Sequence, residues 1–131
     1  MRYWRFVPLL VVAAIILYAG LRPEPVPQAF DQQDKLHHLL GFAALAFSMR
    51  LAIPRWTISW ILALCLVSAV LIELAQGYQP HRVASLADMV ANTLGVGVGV
   101  TASVVWRRLC RRWTGQPRPL AIIDMGVKGR A

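Results

Sequence analysis

Four apolar windows, about residues 4–21, 34–54, 57–76 and 86–106, fill most of a chain of 131 residues. Each approaches the roughly 17–25 residues that a helix needs to cross about 30 Å of hydrocarbon. Lipid offers no partner to a free backbone N–H or C=O, so an uninterrupted apolar run of this length is stable there as a helix, with every backbone bond closed internally. Little chain is left between the windows for a separate soluble domain. The expectation is one compact all-α unit: an integral membrane antiparallel bundle of four transmembrane helices. Composition agrees, because 57% hydrophobic residues, a mean hydropathy of +0.53 and only 15% charged residues lie outside the range of ordinary soluble domains.

Proline and glycine punctuate the windows. Pro23, Pro25 and Pro27 follow the first, Pro54 ends the second, and Gly77 and Pro80 follow the third. Pro8 falls in the first turns of the first window, where a missing N–H does least harm. The sequence RPEPVPQ, and no small-residue cleavage site, comes after that window, so it reads as a retained span and not as a cleaved signal. Three divisions result: 1–33, the first helix and an outer loop; 34–106, a three-helix membrane core; and 107–131, a basic tail read as mobile.

The distribution of basic residues gives the orientation. Arg2, Arg5, Arg50, Arg55, Arg107, Arg108, Arg111, Arg112, Arg118, Lys128 and Arg130 fall on one side of the four spans, against Arg22, Lys35 and Arg82 on the other. The positive-inside rule therefore places both termini in the cytoplasm, in a multi-pass protein of the inner (cytoplasmic) membrane. Trp4, Trp56, Trp60, Trp106 and Trp113 then lie near the inner interface, and Tyr18 and Tyr78 near the outer one, where amphipathic rings are favoured. The net charge of +8 is mostly an inner-face property that draws anionic lipid; no nucleic-acid-binding motif accompanies it. Cys65 and Cys110 sit at different depths, which argues against a disulfide between them. Gly95 and Gly99 form a G-x-x-x-G pair suited to close packing, expected within the chain and not between copies.

The polar residues that do not belong in lipid gather at one end of three spans. Asp34 and His38 open the second, Glu73 and Gln76 close the third, Asp88 and Asn92 open the fourth, and Arg82 lies in the loop between the last two. The spacings i,i+4, i,i+3 and i,i+4 put each pair on one helix face. Several members have plain structural readings: Asp34 as an N-cap, Asp88 as the partner of Ser85 in a capping box, Asn92 as a tie between helices. Glu73 does not, because a carboxylate near a helix C-terminus meets the negative end of the dipole and resists lipid. A partner inside the bundle is required, and Arg82 or Lys35 are the nearest cations by topology. A buried ion pair that only ties helices together is the structural alternative.

The ordered set D34-K35-x-x-H38-x-x-x-F42, E73-x-x-Q76, R82 and D88-x-x-x-N92-x-x-G95 resembles the VanZ-like family of small bacterial membrane proteins, over about Asp34 to Gly99. The resemblance implies a membrane protein connected with the cell envelope, since the founding member is associated with resistance to teicoplanin, a glycopeptide antibiotic with a fatty chain. The loop GYQPHR and the doubled His37-His38 set this chain apart.

Three chemistries suit the constellation. In the first and favoured one, Asp34, Lys35, His38, Glu73, Gln76, Arg82, Asp88 and Asn92 form a polar pocket at the outer leaflet that recognises an amphiphile or lipid-linked glycan, without a cofactor or metal. In the second, His38 is the general acid or base of a membrane-embedded hydrolase or transferase acting on a lipid-linked substrate; no serine or cysteine in a nucleophile motif accompanies it. In the third, Asp34, His38, Glu73 and Asp88 hold a divalent ion, although no recognised metal motif is present.

Overall fold

The computed structural model describes residues 3–22, 27–79 and 85–113. A short 3-10 turn, Tyr3–Phe6, leads into helix α1, Val7–Leu21; α2 spans Gln33–Ala52, α3 Ile58–Gly77 and α4 Leu86–Trp113. The described residues contain no strand. Each expected window is a helix, with ends within a few residues of the predicted ones except at α4. That helix runs seven residues past Trp106, because Arg107, Arg108, Leu109 and their neighbours are good helix formers with no proline or glycine to stop them. Residues 107–113 of the tail read as mobile are thus helical, and its remainder, 114–131, lies outside the described residues.

Among the described residues, three helical segments, Tyr3–Leu21, Ile58–Gly77 and Leu86–Trp113, are long and apolar enough to cross a membrane. Helix α2 is more polar, with Asp34 in its first turn and Arg50 in its last, and it touches all three of the others. Phe42, Leu45 and Ala46 of α2 form the core with Ile61, Cys65 and Ala69 of α3 and Val96 of α4; Leu9, Val12, Ala13 and Ile16 of α1 pack onto it. The opposite faces carry large apolar side chains outward, among them Leu10, Ile15, Val67, Leu71, Leu94 and Val98. Apolar surface displayed around a whole bundle is a surface made for lipid, not water. Cys65 and Cys110 are both free thiols.

The tightest seam is between α2 and α4, and it follows from the glycine pair. A Cβ on Gly95 would overlap the carbonyl oxygen of Leu39, and one on Gly99 that of Ala43, whereas Gly97 faces open space. Only a hydrogen atom fits at 95 and 99, so the two backbones approach as closely as helices can. Leu39 lies beside Gly95 and Ala43 beside Gly99, so α2 and α4 run in the same direction in this register. It carries His38 of α2 to the level of Asp88 and Asn92 of α4.

The far end of the seam is fastened by two arginines whose charge alone suggested only topology. Arg50 is buried at 8% exposure and donates from Nη1 to the Trp56 carbonyl at 3.0 Å, and Arg107 Nη2 donates to the Arg50 carbonyl at 2.6 Å. The last turn of α2, the α2–α3 turn and α4 are thereby joined through the Trp56 carbonyl of the turn and the Arg50 carbonyl, one of those that a helix end leaves without intrahelical donors.

Candidate functional site

At the other end, the first turns of α2, the last turns of α3 and the first turns of α4 converge. Each contributes polar residues at the level the bundle register dictates. His38 lies one turn into α2; its Nδ1 is 3.0 Å from Asn92 Oδ1 and 3.8 Å from Glu73 Oε1, and its Nε2 is 4.0 Å from Asp88 Oδ2. Glu73 is 4% exposed, Asp88 8% and Asn92 0%. Four polar side chains from three helices therefore share one desolvated space. The i,i+4 relation of Asp88 and Asn92 on α4 allows both to reach the same imidazole.

The structure also explains how a carboxylate is tolerated at position 73. Ser85, which directly precedes α4, donates its backbone N–H to Glu73 Oε2 at 3.2 Å, and Ser85 Oγ accepts the N–H of Ala87 at 3.2 Å. The expected capping box between Ser85 and Asp88 is thus replaced: Glu73, from another helix, takes the Ser85 N–H. Its charge sits at the positive end of the α4 dipole, which compensates for its unfavourable place at the end of α3. Lys35, one of the two cations expected to balance Glu73, pairs with Asp34 at 3.5 Å, at the exposed margin of the site. Arg82, the other, lies outside the described residues. Asp34 is the second residue of α2, and no side chain caps that helix, whose N-cap Gln32 adopts a left-handed conformation at φ 63°.

Pairing within the cluster is incomplete. Among the described residues, Glu73 Oε1, Asp88 Oδ1 and Asn92 Nδ2 are buried without a hydrogen-bond partner. Most buried polar atoms in native proteins are paired, and each orphan costs on the order of 1–3 kcal/mol.

Beside the cluster is a cavity of about 490 Å³. Ile15, Ile16 and Gly20 of α1, Gly41 and Phe42 of α2 and Ile72 of α3 form its apolar walls, and Asp34, His37, His38 and Gln76 supply its polar part. Gln76 is buried there at 4% exposure. His38 belongs to both cavity and cluster, while His37 lines the cavity and lies 3.4 Å from Gln33 Nε2. Of the residues expected at the site, His38, Glu73, Asp88 and Asn92 form the cluster. Asp34 and Gln76 border the cavity, and Lys35 stands outside it. Sequence reasoning missed the Ser85 N–H and the part played by α1. Small residues at 20 and 41 on apolar helices were the available signal for the wall.

The profile of the family described as VanZ/LLP1 matches residues 5–107. The match includes α1, beyond the stretch that carries the motifs. No curated protein and no solved structure matches the chain.

Proposed function

Because the chain belongs to the VanZ/LLP1 family, we propose that it is a four-span antiparallel membrane protein that recognises the polar head of an amphiphile in the outer leaflet. The single observation that carries this reading is the cavity: apolar along α1, α2 and α3, it runs onto the half-buried His38 and the buried Gln76. An acyl chain has its match along Ile15, Ile16 and Ile72, and a sugar, amide or phosphate head has its match in the polar lining of Asp34, His37, His38 and Gln76, where His38 leads on to Glu73, Asp88 and Asn92. Lipid-linked envelope precursors and glycopeptides bearing a fatty chain have this two-part chemistry, which connects the site to the cell envelope and to glycopeptide resistance. The inner membrane is the expected location, with both termini cytoplasmic, on the basis of the asymmetry of arginine and lysine.

A membrane-embedded enzyme acting on the same amphiphile is the second reading. One observation favours it: the His38 ring lies between two carboxylates, within 4.0 Å of each, an arrangement suited to a general acid or base.

The outer-leaflet placement is tested with single cysteines on a background lacking Cys65 and Cys110. Tyr78 and Trp113, both 90% exposed, mark the two ends of the bundle. Tyr78→Cys should react in intact cells with a membrane-impermeant thiol reagent, and Trp113→Cys only after lysis. The reverse pattern would move the site to the cytoplasmic face and exclude an outer-leaflet ligand.

A further inference from the structure

The geometry points to a divalent-cation site of the Mg2+/Mn2+ class formed by His38, Glu73 and Asp88, through which the phosphate of a ligand head group is held. One donor atom from each residue lies within 4.8 Å of the other two. These residues come from α2, α3 and α4, so the site exists only when the three helix ends are packed. Asp34, which the sequence places with them, is not part of this group.

Three further observations support an ion here. The first is charge: two buried carboxylates face one imidazole, no lysine or arginine among the described residues pairs with either, and a doubly charged cation would neutralise the pair in a space that strongly disfavours net charge. The second is the unpaired state of Glu73 Oε1 and Asp88 Oδ1, more than nine-tenths buried as residues and without a hydrogen-bond partner among the described residues. The third is the contact of Nδ1 with Asn92 Oδ1 at 3.0 Å: in the tautomer that donates there, the basic lone pair of His38 is on Nε2, the atom 4.0 Å from Asp88 Oδ2. A hydrogen bond to the other nitrogen is the usual way in which a metal-bound histidine is fixed. Ligands about 2.1 Å from Mg2+ would draw the three donors closer together than they stand here.

Two carboxylates and one imidazole are a mainly oxygen donor set, which favours Mg2+ or Mn2+ over soft-ligand metals. Three protein ligands leave positions open on a six-coordinate ion, and such ions are commonly completed by ligand phosphate. The inference rests on the reading of this cluster as a ligand site, and it narrows the ligand to an amphiphile with a phosphate in its head group.

The test uses the full chain in detergent, stripped with EDTA and titrated with Mn2+ alone. Electron paramagnetic resonance should count one bound ion per chain, displaced by Mg2+. Echo modulation should report a directly bound imidazole nitrogen that survives replacement of His37 and His81 by glutamine. Glu73→Gln and Asp88→Asn should each remove stoichiometric binding, Asp34→Asn should leave it intact, and Asn92→Ala should weaken it about 10- to 100-fold. Three results would overturn the proposal: no stoichiometric Mn2+ on folded wild type, modulation that disappears with His37 or His81, or undiminished binding by Glu73→Gln. Should the carboxylate variants not fold, the wild-type modulation decides alone. No amphiphile enters this titration, so a chain that retains lipid without Mn2+ refutes only the cation, and one that binds Mn2+ without lipid refutes only the amphiphile.

Discussion

Glu73→Gln should strip the bound amphiphile from the purified protein while leaving its melting temperature in detergent nearly unchanged. Glutamine has the shape of glutamate, and its carbonyl oxygen can still accept the Ser85 N–H that Glu73 Oε2 accepts at 3.2 Å. What disappears is the charge, and with it any charge-assisted bond to a ligand, worth about 1.5–3 kcal/mol, or roughly ten- to hundred-fold in affinity. Removing one of two neighbouring buried carboxylates also relieves repulsion between Glu73 and Asp88, which offsets stability lost elsewhere. Glu73→Ala is the contrasting variant. It leaves the Ser85 N–H unpaired and opens a void, and should cost about 1–3 kcal/mol for the orphaned donor alone, on top of lost ligand. Lipid content by mass spectrometry and thermal melting of the two variants separate the readings. Equal destabilisation by Gln and Ala, with lipid retained in the folded fraction of both, would make Glu73 a structural tie and nothing more.

His38→Asn should reduce ligand retention by several-fold to about tenfold and create or remove no lipid product. Asparagine can keep a hydrogen bond near Asn92 but cannot exchange a proton near neutral pH. In a recognition site the loss is a hydrogen bond and some packing, on the order of 1 kcal/mol. A general acid or base is different, because its removal typically costs about 10²–10⁴ in rate. Lipid extracts from cells with wild-type protein, His38→Asn protein at matched level and no protein are compared by mass spectrometry. A head-group-modified lipid present only with wild type would reverse the order of the two readings and make the protein an enzyme.

The helices were legible because apolar length and prolines report the membrane directly, and the predicted windows match α1, α2 and α3 to within a few residues. Much of the polar cluster was legible too. Residues 38, 73, 88 and 92 are each expensive in lipid, and short connections leave their helix ends little choice but to meet. What the sequence could not reveal depends on backbone groups and on the direction of long side chains. Glu73 finds the N–H of Ser85 and not the expected Lys35, whose flexible ammonium reaches its own neighbour Asp34. Arg50 and Arg107 carry no motif, and their contacts are to carbonyls, which are the same in every sequence. The wall supplied by α1 was hidden because Ile15, Ile16 and Gly20 look like any membrane-spanning residues until α1 is placed against α2 and α3.

The central claim is that the cavity and its polar end hold an amphiphile, and Gly41→Leu tests it most directly. Gly41 lines the cavity, and a Cβ there would meet Ile16 at 3.5 Å, an ordinary contact, so leucine is accommodated by the backbone while its remaining carbons occupy the ligand's space. Wild-type protein extracted with its native lipid should carry one dominant amphiphile per chain by native mass spectrometry, enriched over the surrounding membrane, and Gly41→Leu should lose it at unchanged expression and melting temperature. The same lipid mixture on both proteins, matching the bulk membrane, would contradict the account.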